Sequence, residues 1–162
     1  MHPYFAQKFF GAAAYHARTI ADTGSTIYYG KDGKKLGYSR PTAGRGNFIH
    51  CSATDKVVGT TNTVALATQS CRASQIHKDA NDKAIGYTES SMGPNRIKKR
   101  THWSENDQMI GSTMLGAQGK PMHFGSAGEL LLRDKHAEPT ERKSGSYISG
   151  KPTVALGSAR PV

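Results

Sequence analysis

The chain has 162 residues, 36% of them hydrophobic, with 18 glycines, a mean hydropathy of −0.59 and a net charge of +10 from 22 Lys and Arg against 12 Asp and Glu. So low a hydrophobic share allows only a thin core, no run of about 18 apolar residues exists to cross a bilayer as a helix, and two cysteines, Cys51 and Cys71, are too few for a disulfide scaffold. The positive excess suits an acidic partner, nucleic acid or protein, or else a solvated basic surface.

Residues 1–25 open with HPYFAQKFFGAAAYHARTI after Met1. Phe5, Phe9 and Phe10 with Ala12, Ala13 and Ala14 predict either a short amphipathic helix interrupted by Gly11 or an arm that docks Tyr4, Phe5, Phe9 and Phe10 on another subunit. No basic segment precedes an apolar stretch and cleavage site, so no signal peptide is expected. The run YFxxKFFG, Tyr4 to Gly11, resembles the aromatic-Gly openings of small proteins encoded among bacteriophage structural genes. That resemblance implies a virion setting.

From Ile27 the chain repeats itself. IYYGKDGKKLGYS (27–39) is followed by IHCSATDKVVGTT (49–61), IHKDANDKAIGYT (76–88), THWSENDQMIGST (101–113) and MHFGSAGELLLRD (122–134). Each unit carries turn residues at its sixth and seventh places and an aliphatic residue at the tenth. The first four place Gly at the eleventh and Ser or Thr at the thirteenth, whereas the fifth puts Leu132 where the others have Gly. Units begin 21–27 residues apart, so the length variation lies in polar, glycine-bearing links. β-Formers, then a turn such as Lys31-Asp32-Gly33-Lys34, then a returning strand read as a β-hairpin. Units ending in G-x-[ST] resemble the YDxxGxxxGxS tandem repeats of bacterial proteins over residues 27–134, which implies a hairpin-repeat fold.

Alternation within the units predicts the buried face. The first, third and tenth places hold mostly apolar residues (Ile27, Tyr29 and Leu36 in the first unit), with Lys78 as the exception. His50, His77, His102 and His123 all occupy second places, hence a row on the opposite face. Three readings compete: a structural ladder of semi-polar rings, a pH-responsive row, or a metal site whose best ligand set is His50, Cys51, Cys71 and His77. For the two cysteines, a disulfide and unpaired thiols are the rivals.

The run Arg96, Lys98, Lys99 and Arg100, followed by Trp103, is the best nucleic-acid candidate, with Arg40 to Arg45 as a second contact. The same run also suits a strand edge kept soluble by charge. No G-x-S-x-G, H-E-x-x-H or phosphate-loop motif is present, and Asp32, Asp55, Asp82 and Asp107 sit in turns. Enzymatic activity and a cofactor are therefore not expected.

The expected architecture is all-β: five tandem hairpins over residues 26–134 forming a meander, open sheet or small solenoid. An extended or short-helical arm (1–25) precedes them, and a linker and tail (135–162) follow, with Tyr147 to Ala159 as a candidate sixth unit. The expected role is a non-enzymatic structural or assembly subunit, a homo-oligomer or part of a phage virion or cytoplasmic assembly, with no membrane partner. The alternative is a nucleic-acid-binding protein of a ribonucleoprotein.

Overall fold

The computed structural model describes residues 1–65, 73–92, 94–116 and 119–133. Its strands are β1 (His16–Thr19), β2 (Thr26–Tyr29), β3 (Lys35–Pro41), β4 (Phe48–Ser52), β5 (Val57–Ala65), β6 (Ala73–Asp79), β7 (Ala84–Met92), β8 (Lys98–Ser104), β9 (Met109–Leu115), β10 (Pro121–Gly125) and β11 (Leu130–Arg133). They form one antiparallel sheet whose spatial order is the chain order. Each repeat is one hairpin, and the hairpins pair side by side as an open meander. The candidate sixth unit, Tyr147 to Ala159, and the tail lie outside the described residues.

Turn chemistry sets every hairpin in the same way. The seventh-place residue takes a left-handed φ in all five units: 78° at Gly33, 66° at Asp55, 65° at Asp82, 60° at Asp107 and 83° at Gly128. Gly adopts that region freely and Asp tolerates it better than most side chains do. Its N–H then donates to the fourth-place carbonyl at 3.0–3.1 Å. After the second place of each unit the register slips by one residue, at Tyr28/Tyr29, His50/Cys51, His77/Lys78, His102/Trp103 and His123/Phe124. Bulges of this kind bend a strand and raise its twist.

Repeated five times on one side, the bend coils the sheet. Tyr28 on β2 and Arg100 on β8 stand six strands apart, about 29 Å in a flat sheet. Yet both line a single cavity of about 160 Å³. The sheet therefore curls with its second-place residues on the concave side.

That side receives the first element, α1 (Pro3–Phe10). Pro3 at its start has no N–H to leave unsatisfied. Its N-cap is His2, whose Nδ1 accepts from the Tyr4 N–H at 3.2 Å. Gly11 ends it with φ of 75°, its N–H donating to the Gln7 carbonyl at 2.9 Å. Gly11 is thus the stop of the helix.

The buried face is the reverse of the one that alternation predicts. Tyr28, His50, His77, His102 and His123 are 1–7% exposed, while Ile27, Ile49, Ile76, Thr101 and Met122 at the first places are half-buried. At the third and tenth places only Cys51, at 2%, is fully buried among the described side chains. The reason is that α1 covers the second-place face, whereas no described element covers the other. The buried side of this sheet is built from imidazoles, hydroxyls and glycines.

Candidate functional site: an imidazole–hydroxyl ladder under a helix

Strand pairing places each thirteenth-place hydroxyl beside a second-place imidazole of the next unit: Ser39 pairs with His50, Thr61 with His77, Thr88 with His102 and Thr113 with His123. Within each of the first four hairpins the second-place residue faces the eleventh-place glycine, as His50 faces Gly59. All these positions share one face, so side chains meet in an unbroken row.

The row is hydrogen-bonded from end to end. The Ser39 hydroxyl lies 2.6 Å from His50 Nδ1, and His50 Nε2 lies 2.7 Å from Thr61 Oγ1. Thr61 Oγ1 is 2.8 Å from His77 Nδ1, and His77 Nε2 is 2.8 Å from Thr88 Oγ1. Thr88 meets His102 Nδ1, His102 Nε2 meets Thr113, and Thr113 meets His123 Nδ1, each at 2.8 Å. At the first unit, where Tyr28 replaces histidine, Ser39 donates to the Tyr28 hydroxyl at 3.4 Å. A buried polar group is tolerated when it is hydrogen-bonded, and this ladder satisfies its own members.

Helix α1 lays one side chain on nearly every rung. Phe10 packs against Tyr28 with centroids 5.4 Å apart, Phe9 against His50 at 4.2 Å, Phe5 against His77 at 4.0 Å and His2 against His102 at 4.6 Å. His2 also donates from Nε2 to the Phe124 carbonyl at 3.0 Å, which with its capping role fixes it as the Nε2–H form. Glycine is required beneath this seat. A Cβ on Gly37 would meet Phe10 and the Cys51 carbonyl, on Gly59 Phe9 and the Lys78 carbonyl, on Gly86 Phe5 and the Trp103 carbonyl, and on Gly111 His2 and the Phe124 carbonyl.

Burial sets the charge state. Desolvation, the leading cause at each ring, lowers His50 to about 3, His77 to about 3, His102 to about 2 and His2 to about 4. Neighbouring imidazoles add repulsion, from His77 on His50 and from His2, His77 and His123 on His102. At neutral pH these rings are uncharged. Of the three readings of the row, the geometry is that of the ladder, with hydroxyls of adjacent strands as partners.

The other candidates fare differently. The arm residues Phe5 and Phe9 are 1% and 5% exposed on the protein's own sheet and Phe10 is half-buried there, so in the folded chain these rings are not presented to another subunit. Tyr4 points elsewhere, its hydroxyl donating to Glu105 at 3.3 Å. Of the metal set, His50 and His77 have both ring nitrogens held by hydroxyls, Cys51 follows His50 and faces the opposite side, and Cys71 lies outside the described residues. No cluster of three or more His, Cys, Asp or Glu suited to a metal occurs among the described residues.

Strand β8 divides the basic run. Lys98 and Arg100 share the concave face with His102, while Lys99 and Trp103 face outward, where Trp103 stacks on Tyr87 at 6.1 Å. Arg96 precedes the strand with a φ of 61°. No single surface gathers these cations with the indole, and β8 lies between β7 and β9 rather than at an edge. Arg40 and Arg45 are exposed near the end of β3 and in the loop after it.

No family model, curated protein or solved structure matches this chain. Among the described residues no helix is long and apolar enough to cross a membrane. The participants that sequence reasoning leaves unassigned are Ser39, Thr61, Thr88, Thr113 and His2. Their signal is internal: in the first four units places eleven and thirteen are always Gly and Ser or Thr, place two is His in four of the five units, and pairing puts all three on one face.

Proposed function

We propose that the protein is a non-enzymatic structural or assembly subunit, whose partners are further copies of this chain and other protein subunits. The outer face of the sheet carries this reading. Ile27, Ile49, Trp103 and Phe124 are half-buried along it, and Leu130 on β11 is 50% exposed. Apolar side chains on a sheet face that no described element covers favour protein contacts. The ladder supports the non-enzymatic part, because imidazoles engaged at both nitrogens are poorly placed to serve as general bases. The resemblance of Tyr4 to Gly11 to phage structural proteins supports a virion, capsid or tail, as the assembly.

Light scattering at low and high salt, with absorbance at 260 nm recorded beside it, tests the proposal. Apolar contacts are not screened by salt, whereas phosphate contacts weaken steeply. The expected result is an oligomer that persists in high salt and carries no nucleic acid. A monomer that holds nucleic acid and releases it in salt would refute the proposal and favour the ribonucleoprotein reading through Lys98 and Arg100.

A further inference from the structure

We infer that the concave side of the sheet holds a binding site for a small aromatic monocarboxylate, with the ring seated in the cavity of about 160 Å³ and the carboxylate paired with Arg100. This goes beyond assembly and does not depend on it. No single hairpin owns the site, because the coil of the sheet is what brings β2 and β8 to one space.

Charge calls for an anion. Among the side chains that line the cavity, Arg100 is the one charged at neutral pH, and none is a carboxylate. Its neighbours across the strands are the uncharged Ser90 and Thr113, and among the described residues its guanidinium makes no ion pair. Its charge reaches inward as well: His77, which burial above all keeps neutral, is further discouraged from protonation by Arg100. A guanidinium fork matches a carboxylate with two parallel hydrogen bonds.

Size and lining call for a ring. A cavity of about 150 Å³ is roomy enough for benzene, so this one takes a single six-membered ring. Its lining grades from covered to open. Ser39, His50 and Thr61 at the floor are 2–3% exposed, Phe48 and Gln75 at the sides are half-buried, and Arg100 is exposed and stands at the mouth. The floor's polar atoms already bond one another, Ser39 with His50, His50 with Thr61 and Thr61 with His77, and Gln75 gives its amide N–H to the Gly46 carbonyl at 2.9 Å. A ring can therefore lie over them without stranding a donor or an acceptor, with Phe48 adding aromatic surface beside it. A guest made of hydroxyls would find few partners here.

Benzoate is the probe, titrated into the whole chain at neutral pH while the ring signals of His50 and His77 are followed by NMR. Saturable binding that moves both rings is expected. Acetate keeps the carboxylate without the ring and benzamide keeps the ring without the charge, so each should bind at least about tenfold more weakly. Arg100→Gln should weaken benzoate by about tenfold, whereas Lys98→Gln, on the same face but outside the cavity, should leave it within about twofold. Benzoate that moves neither ring, or benzamide that binds as well as benzoate, would overturn the inference. Acetate equal to benzoate would do so too, by showing an exposed arginine that pairs with any carboxylate. So would equal losses in Arg100→Gln and Lys98→Gln, which would reduce the effect to general positive charge. If Arg100→Gln does not fold, the three probes on the native chain still decide the matter.

Discussion

Phe5 is the side chain on which the seating of α1 depends most, and Phe5→Ala is the most direct perturbation of it. The ring is 1% exposed, lies 4.0 Å from His77 and 5.7 Å from His102 between centroids, and rests on Gly86. Truncating a buried Phe to Ala typically costs about 3–5 kcal/mol. The upper part of that range is expected here, because strand pairing fixes Gly86 and two hydroxyls fix His77, so neither can collapse into the space. An eight-residue helix has almost no stability of its own, so losing its central anchor loosens Phe9 and His2 as well. Against a total of about 5–15 kcal/mol for a domain, the change is large. Urea unfolding followed by far-UV circular dichroism and Trp103 fluorescence should show a midpoint lower by about 2 M, given a slope near 2 kcal/mol per molar. A loss below about 1 kcal/mol would refute the reasoning. Unchanged monomer stability with weaker self-association would return the aromatic residues to an intermolecular role.

Two further outcomes follow from the same seat. Gly59→Ala places a methyl against Phe9 and the Lys78 carbonyl. Since a backbone carbonyl cannot move aside cheaply, the variant should lose about 1–3 kcal/mol in the same urea assay, and native-like stability would mean that α1 does not press on this strand. Stability should also fall with acidity. His50, His77 and His102 are neutral when folded, with values near 3, 3 and 2, but titrate near 6.5 in the unfolded chain. Between those limits the unfolded state binds more protons, so stability is constant above about pH 7 and declines as pH drops below 6.5, by up to about 1.4 kcal/mol per pH unit for each ring. Unfolding midpoints that are equal at pH 7.5 and pH 5 would contradict burial of the three imidazoles.

What the sequence made legible was local, and what it concealed was not. Turn residues act over four positions, so Gly33, Asp55, Asp82, Asp107 and Gly128 could be read as turns from their neighbours alone, and a run of such turns already implies a meander. The histidine row was equally visible, since equal spacing within units puts His50, His77, His102 and His123 in register. The buried face was misread because hydropathy treats His and Thr as polar and Gly as neutral, while Ile27 and Ile49 score as core. Only the hydrogen bonds between strands reverse that ranking, and they join residues 10–16 positions apart. The place of α1 was hidden further still. Its eight residues are too few to show a helical period, and its seat is a column of glycines supplied by four separate hairpins.

That seat also dictates an order of events. The helical segment is synthesised well before its docking site is complete, because His2 bonds to Phe124, 122 positions downstream. At about 5–20 residues per second, the interval is on the order of 6–24 s. For that period the opening Phe5, Phe9 and Phe10 must wait in solvent or in the keeping of another molecule while hairpins accumulate. Closure of the fold is consequently a long-range event, of the kind that slows folding, and the helix acts as the latch that drops once the fourth hairpin is in place and the fifth has begun.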